Sequence, residues 1–545
     1  MRLSRRTRLA GVALLAASSL TLAACGGGSD DGGSGSDIIT TRSTEPQNPL
    51  VPTSTNETGG GNIITMVFAG LVSYAVDGTP KNEVAESIES DDNQNWTIKL
   101  KSDWKFSDGT PVKAKNFVDA WNYGAAVKNA QLSSYFFEPI KGYAEASAEG
   151  SKVETLSGLK VVDDTTFTVA LNSPQSDFPL RLGYSAYVPL PDSAFKDMKA
   201  FGEDPVGNGP YKLAKKGAWE HNKQIALVPN KDYKGARVAK NDGLTFVFYK
   251  EVESAYSDLQ AGNLDVLDTV PASALQTFTD ATDIQPINKP GSVFQSITIP
   301  DRLKHFGLDE EGSLRRQAIS MAIDRKAITD KIFFGSRTAA TDFGSPVLPT
   351  YSKDLKGSDV LQYNPDKAKD LWKQADAISP WDGEFKIAYN ADDIHKGWVD
   401  ASTNQIKNTL GIKSSGAPYA TFDEFRKVIT DRSIKTAFRT GWQPDYPSLY
   451  NYLAPLYASG SADGKGSNDG DYKSKEFDGL LAKAASSKSD EERTTFLQQA
   501  EEVLFKDLPA IPTWYTNVSA AAAKGVKNVE FNWANVPEYQ LITKK

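Results

Sequence analysis

Cysteine and histidine are scarce in this chain of 545 residues, which has one cysteine and three histidines. The histidines, His221, His305 and His395, lie far apart in the sequence and form no pair at the spacing typical of zinc ligands. Cys25 has no second cysteine with which to form an intramolecular disulfide. We therefore expect no metal site, no cofactor and no disulfide framework.

Long apolar runs are missing after residue 24, so the sequence predicts no membrane-spanning helix in the rest of the chain. The first 24 residues begin with basic charge and continue with a short apolar stretch that ends in Ala23 and Ala24. The basic charge comes from four arginines, Arg2, Arg5, Arg6 and Arg8. This order is typical of a secretory signal peptide, which we place at residues 1–24. The alternative is a signal anchor followed by an incidental cysteine.

The residues Leu22-Ala23-Ala24-Cys25 resemble the lipobox of bacterial lipoproteins, in which cleavage leaves a new N-terminal cysteine that is acylated. The resemblance implies that Cys25 is lipidated and that the protein is extracytoplasmic, anchored to the cell membrane. It also leaves no thiol for catalysis. Residues 25–37 are mostly glycine, serine and aspartate, which predicts a flexible tether before a folded part that begins near Ile38.

Basic charge is in the minority. The chain has 61 lysines and arginines against 69 acidic residues, for a net charge of -8 at pH 7. Removal of residues 1–24, which carry four arginines and no acid, changes this to -12. Such an excess of acid argues against a nucleic-acid partner and against a polybasic membrane patch. The remaining length of about 500 residues exceeds what one core usually supports and predicts two or three domains.

Strand and helix patterns both occur along the chain. Apolar and polar residues alternate in residues 96–100 and 167–171, as is typical of half-buried strands. Asn364 followed by Pro365 is typical of a helix N-cap and a first-turn proline. Residues 314–330 have apolar side chains at helical spacing, with Arg325 expected to be exposed toward the far end. The mixture predicts an α/β or α+β protein.

Several segments carry a family likeness, and they come in the family's order along the chain. They are residues 83–123, 206–211, 259–266, 316–325 and 508–515. Together they resemble the family 5 extracellular solute-binding proteins of ABC importers, which include the oligopeptide- and dipeptide-binding lipoproteins. One such segment alone would be a weak indication, but their number and order make a chance likeness implausible.

The resemblance implies an α/β fold of the periplasmic-binding-protein type (type II, cluster C), with two lobes that close over a ligand and an extra domain in lobe I. Lobe I would comprise residues 38–68, 186–289 and 513–545. The extra domain would comprise residues 69–185, and lobe II residues 290–512. Two chain crossings between the lobes would form the hinge.

Residues 439–446, Arg-Thr-Gly-Trp-Gln-Pro-Asp-Tyr, are similar to the stretch of oligopeptide-binding proteins in which an aspartate holds the α-amino group of a peptide. The resemblance implies that Asp445 is this anchor. An ammonium group is costly to bury without an anion, so the residue type fits the role. The residue types alone also allow an exposed turn aspartate beside Pro444.

Thr440, Gly441 and Trp442 match the family's backbone strip, which pairs with an extended peptide as an added strand. Main-chain hydrogen bonds do not depend on side-chain identity, so such a strip suits a carrier of broad specificity. Gly441 would allow a close approach of the peptide. Trp442 could equally be a core aromatic.

Three further side chains are implied as peptide contacts. His395 is similar to a histidine that meets the peptide's C-terminal carboxylate, and Arg439 is a second carboxylate partner because its planar fork can donate two parallel hydrogen bonds. Arg432 is a third candidate for the carboxylate. Tyr135 matches a pocket tyrosine. The residue types alone also allow a surface histidine, solvated arginines and a core tyrosine.

The resemblance thus implies a monomeric, lipid-anchored receptor that binds oligopeptides between two lobes and delivers them to an ABC transporter permease. One alternative keeps the fold but binds a non-peptide solute, such as a metal chelate, haem, a sugar or an antibiotic. A second alternative is a secreted lipoprotein enzyme. No Gly-x-Ser-x-Gly motif stands beside a plausible base, so we do not expect an enzyme.

Overall fold

The computed structural model describes residues 37–392 and 394–544. The predicted signal peptide, nearly all of the tether and Cys25 lie outside these residues. None of the helices described has both the length and the apolar character needed to span a bilayer.

The strands in chain order are β1 (Ile38–Ser43), β2 (Val72–Tyr74), β3 (Pro80–Asn82), β4 (Ala85–Glu89), β5 (Asn95–Leu100), β6 (Leu159–Val161), β7 (Thr166–Ala170), β8 (Tyr211–Leu213), β9 (Trp219–Glu220), β10 (Gln224–Pro229), β11 (Gly243–Phe248), β12 (Val266–Leu267), β13 (Ile284–Thr298), β14 (Arg337–Ala339), β15 (Glu384–Asn390), β16 (Lys413–Tyr419), β17 (Ala437–Trp442) and β18 (Ala510–Ala523). The α-helices are α1 (Thr58–Val67), α2 (Ala114–Ala125), α3 (Tyr143–Ser147), α4 (Phe178–Arg181), α5 (Met198–Glu203), α6 (Val252–Gln260), α7 (Glu310–Met321), α8 (Arg325–Lys331), α9 (Pro365–Ile378), α10 (His395–Leu410), α11 (Phe422–Thr430), α12 (Leu449–Tyr457), α13 (Lys475–Ser486) and α14 (Asp490–Asp507).

A mixed sheet runs through the molecule in the order β16-β15-β17-β13-β18-β12-β1-β11-β10-β8, with β14 on β18 and β9 on β10. Its two longest strands, β13 and β18, are antiparallel neighbours at its centre. Their pairing changes register between Lys289 and Val293. A separate sheet has the order β4-β5-β7-β6.

Two large hydrophobic cores flank the β13–β18 pair. The first core is built mainly from residues 39–246 and the second core wholly from residues 294–515. The chain therefore enters the second core through β13 and leaves it through β18. This is the arrangement of a two-lobed α/β protein, as predicted from the sequence.

Most of the predicted elements are present. Strands β5 and β7 cover the two alternating segments, and α9 begins at Pro365 behind Asn364, whose side chain accepts a hydrogen bond from the Lys367 amide at 3.1 Å. The single helical segment expected over residues 314–330 is instead divided into α7 and α8.

The expected exposure of Arg325 is wrong, since this residue is only 4% exposed. Its Nε donates to the Pro512 carbonyl and its Nη1 to the Leu361 carbonyl, both at 2.7 Å. A further bond from Nη1 reaches the Ser320 carbonyl near the end of α7 at 3.0 Å. Burial lowers the pKa of Arg325 to about 9. The break between the two helices turns this side chain inward, where it supplies donors to carbonyl groups.

Candidate functional site

The strip predicted to pair with a ligand lies on β17. One edge of this strand pairs with β13 from Phe438 to Trp442. The other edge pairs with β15 only at Ala437 and Phe438. Among the described residues, 439–442 therefore have one edge outside any strand pairing. Such an edge presents N–H and C=O groups to which an extended segment can add as a further strand.

Gly441 is exposed on this strip, and packing within the chain does not demand a glycine there. A Cβ atom at this position would meet only the Phe294 carbonyl oxygen within 4 Å, at 3.8 Å. The missing side chain instead leaves the face of the strip bare. Trp442 is partly buried and packs against the second core, so it serves the core as well as the strip.

Asp445 follows the strip and is half-buried. Its backbone N–H donates to Asn451 Oδ1 at 2.9 Å, which ties the segment to α12. Burial raises the pKa of the Asp445 carboxyl, while a hydrogen bond with Asn451 and the positive charge of Arg181 act in the opposite direction. Asp445 is therefore not the fully exposed turn aspartate that its residue type alone would allow.

Tyr135 lies close to Asp445, although the two residues are 310 positions apart in the chain. Burial and then the charge of Asp445 raise the pKa of Tyr135 above its usual range. The same two causes raise the pKa of Tyr184 to about 12. Tyr135 is 52% exposed, so it is not a core aromatic. Its ring lies 4.6 Å from that of Phe136, which stacks on Tyr184 at 3.8 Å.

His395 is the first residue of α10 and is only 4% exposed, so the surface histidine allowed by residue type is not what the structure shows. The indole Nε1 of Trp398 donates to His395 Nδ1 at 3.1 Å. An indole can only donate, so Nδ1 is the acceptor and Nε2 carries the proton of the ring.

Arg439 is fixed from several sides. Its Nε donates to Asn390 Oδ1 at 2.9 Å, and its Nη2 contacts the same oxygen. The guanidinium lies 5.2 Å from the ring centres of both Phe422 and Phe425. Since Asn390 ends β15 and His395 begins the next helix, the structure brings Arg439 to the segment that holds His395.

Arg432, the third candidate for the carboxylate, forms ion pairs within its own half of the molecule. Its Nε donates to both carboxylate oxygens of Asp471 at 3.0 Å, and its Nη1 lies 3.4 Å from Asp469 Oδ1. These ion pairs hold the loop that follows α12.

Sequence reasoning missed several groups around the site. Tyr184, Arg181 and Asp177 come from the segment around α4, and no local motif marks them. A cavity of about 380 Å³ also lies beside the strip. Residues of both halves of the molecule line it, among them Thr58, Asn62, Arg337, Ile394 and Gln443. Only the placement of its lining segments in the fold reveals this cavity.

Residues 37–392 and 394–544 hold no cluster of three or more histidine, cysteine, aspartate or glutamate side chains arranged to take an ion. The chemistry of the site is instead that of an open strand edge with a carboxylate at one end and cationic or N–H donors at the other.

These features define a two-lobed α/β binding protein. The sequence model of bacterial extracellular solute-binding proteins, family 5 (middle), matches residues 79–464, and the chain belongs to this family. The dipeptide-binding protein DppE of Bacillus subtilis is 26% identical over 477 residues, which cover 85% of this chain and 84% of DppE.

Solved structures share the fold. The murein tripeptide binding protein MppA in its unliganded open form superimposes with a TM-score of 0.81 at 21% identity, covering 93% of this chain and 96% of MppA. NikZ of Campylobacter jejuni in complex with Ni(L-His) gives a TM-score of 0.68 at 19% identity, covering 93% of this chain and 99% of NikZ.

Proposed function

We propose that this protein is an extracytoplasmic receptor that binds oligopeptides between its two lobes and delivers them to an ABC transporter permease. Lipid on Cys25 anchors it to the cell membrane, and it acts as a monomer without catalysing a reaction. The observation that carries the proposal is the open edge of β17 over residues 439–442, followed three residues later by the carboxyl group of Asp445.

The positions of these groups set the direction of the ligand. Asp445 receives the peptide's ammonium group beyond the C-terminal end of β17. The peptide carboxylate then lies toward Arg439 and His395, at the other end of the strip. A bound peptide therefore runs antiparallel to β17. The strip spans roughly 10–13 Å at about 3.4 Å per residue, which suits a tripeptide backbone.

Fold alone does not select a peptide, because NikZ shares the fold and its structure contains Ni(L-His). The selection rests on Asp445, since an ammonium group needs an anion when it leaves water. The relative DppE is named a dipeptide-binding protein, which agrees with a peptide ligand. A nickel chelate is the alternative that the experiment below separates from it.

The test uses the chain from residue 25 onward, produced without lipid and refolded from denaturant to remove bound ligand. A ligand that binds only the folded state raises the Tm. We expect trialanine to raise the Tm and N-acetyl-trialanine to leave it unchanged. In Asp445→Ala the affinity for trialanine should fall by about 2–5 kcal/mol, because the buried ammonium group loses its partner.

Asp431→Ala is the matched control, since Asp431 is an exposed aspartate paired with Lys427 on α11 at 2.7 Å. It should bind trialanine like the wild type. A wild-type Tm that no peptide of two to six residues shifts would overturn the peptide proposal. A shift with nickel and histidine in the same experiment would then favour the chelate.

A further inference from the structure

Arg181 and Tyr446 join two distant parts of the chain beside Asp445. Arg181 ends α4, and its Nε donates to the Tyr446 hydroxyl at 3.3 Å. The guanidinium carbon also lies 5.2 Å from the centre of the Tyr446 ring, in the geometry of a cation–π contact. Tyr446 is buried and directly follows Asp445. The residue next to the proposed amine anchor is therefore held by an arginine from the α4 segment.

Asp177 completes this contact. The Tyr446 hydroxyl donates to Asp177 Oδ2 at 3.1 Å, and the Ser448 hydroxyl lies 3.4 Å from the same oxygen. Asp177 is itself buried. The hydroxyl of Tyr446 thus accepts a hydrogen bond from Arg181 and donates one to Asp177. Together these two bonds fix the position and orientation of the Tyr446 ring.

The charged and titratable groups that interact with Asp445 come from the segment around α4 and from the segment that holds Tyr135. Arg181 is the cation whose charge opposes the effect of burial on the Asp445 carboxyl. Tyr135 and Tyr184 face the same carboxyl and stay neutral at pH 7, because burial and the charge of Asp445 raise the pKa of each. With Asp177, the group contains two carboxylates and one guanidinium. When both carboxyl groups are ionised, the net charge of this group is -1, which one ligand ammonium would neutralise.

We propose that Arg181 is a positioning residue for the ligand's ammonium group. It holds Tyr446, and through it the backbone of Asp445, and its positive charge opposes the effect of burial on the Asp445 carboxyl. This inference rests on the proposed function, because it assigns a role within the same site. It also names the ligand class more closely, as a molecule that brings one positive charge to Asp445.

Removal of Arg181 should change how the affinity for a peptide depends on pH. A peptide ammonium stays charged up to about pH 8. Affinity is therefore lost at low pH, where Asp445 takes up a proton. Without Arg181 the carboxyl takes up its proton at a higher pH, because the opposing positive charge is gone. The low-pH midpoint of affinity should then move upward by about one pH unit.

The experiment is calorimetric titration with trialanine between pH 4.5 and 8, on the same refolded protein. We expect Arg181→Met to move the low-pH midpoint up by about one unit. At pH values well below both midpoints it should then bind about tenfold more weakly than expected from its loss at pH 7.5. Arg181→Lys keeps the charge, and its midpoint should stay within a few tenths of the wild-type value.

Arg493→Met is the matched control. The Nη1 of Arg493 donates to the Ser176 carbonyl at 3.1 Å, so this arginine also ties the segment before α4 to the second half of the chain. Asp445 is not among its contacts. Its removal should leave the midpoint unchanged even where it lowers stability.

A loss of affinity in Arg181→Met that is equal at every pH would overturn the inference and leave Arg181 a purely structural residue. If Arg181→Met does not fold, Arg181→Gln tests the same point, since it keeps a donor for Tyr446 and removes only the charge. An unmoved midpoint in that variant overturns the inference as well. A wild type that binds no trialanine contradicts the proposed function instead.

Discussion

Asp342 and Glu501 are two carboxyl groups buried side by side in the second half of the molecule, at 1% and 0% exposure. The Phe343 amide donates to Asp342 Oδ1 at 2.7 Å and the Gly344 amide to Glu501 Oε1 at 3.1 Å. Asp342 Oδ2 and Glu501 Oε2 are buried and have no hydrogen-bond partner among the described residues, so a proton on one carboxyl group is needed for the pair to share a hydrogen bond. Burial raises the pKa of both groups, and the charge of Asp342 raises that of Glu501 further.

This pair makes stability depend on pH in a predictable direction. The folded protein keeps a proton that the unfolded chain releases near pH 4. The free energy of unfolding therefore falls as pH rises above about 4, by up to about 1.4 kcal/mol per pH unit for one proton.

Glu501→Gln removes one acid and keeps both an acceptor for Gly344 and a donor for Asp342. We expect its Tm to vary less between pH 5 and 8 and to exceed the wild-type Tm at pH 8.

Thermal unfolding at several pH values measures this difference. Glu502→Gln, at the next position on α14, changes the same residue type outside the pair and should follow the wild-type curve. Parallel curves for Glu501→Gln and the wild type would show that the two carboxyl groups do not share a proton.

The site residues show what a sequence can reveal at this scale. Residues 439–446 form one continuous motif, so Asp445 and the strip could be proposed as ligand contacts from the sequence alone. Tyr135 could be named, but its closeness to Asp445 depends on the fold. Arg181 lies in a segment without a motif, and its role depends on where Tyr446 is placed. Local pattern therefore suggests candidate ligand contacts, and tertiary structure adds neighbours such as Arg181 that no motif marks.

At the scale of elements, the junction between α7 and α8 depends on Arg325. The end of one helix leaves carbonyl groups without intrahelical partners. Arg325 supplies donors to the Ser320, Leu361 and Pro512 carbonyls, and so ties this junction to the start of β18. Lysine would keep the charge but concentrates its donors on one atom and cannot reach all three. We expect Arg325→Lys to lower the free energy of unfolding by roughly 2–4 kcal/mol, because one or two buried carbonyls lose a donor.

Urea denaturation measures this loss. Lys326→Ala is the control at the next position, where an exposed lysine pairs with Asp330 on the same helix. Its effect should stay below about 0.5 kcal/mol, as is usual for exposed pairs. Equal losses in the two variants would mean that the carbonyl contacts of Arg325 contribute little.

This junction also explains why one predicted helix became two. The side chain of Asp324 accepts a hydrogen bond from the Ala327 amide at 2.9 Å, so it is the N-cap of α8. Aspartate before a helical run is a local signal, and it could have located the break. The burial of Arg325 had no such signal, because its partners at Leu361 and Pro512 are distant in the sequence.

At the scale of the whole molecule, the two cores are connected through β13 and β18. Pro290 lacks an N–H to donate, and the pairing of the two strands is interrupted between Lys289 and Val293. At the next residue, a Cβ atom on Gly291 would lie 2.5 Å from the Thr516 carbonyl oxygen, so glycine is required for the two strands to approach this closely. The pairing of β13 with β18 is therefore interrupted where the chain passes from one core to the other.

We expect this place to act as the hinge when a peptide binds. The strip and Asp445 belong to the segment of the second core, whereas Tyr135 and Tyr184 belong to that of the first. A ligand that touches both groups gains contacts only as they approach, and this difference in affinity shifts the population toward a closed form.

Small-angle scattering should therefore show a smaller radius of gyration for the wild type with trialanine than without it. Asp445→Asn should show no change at the same peptide concentration, because it loses the charge that holds the ammonium group. Peptide binding that is confirmed by calorimetry but leaves the scattering of the wild type unchanged would mean that the two cores do not move about β13 and β18.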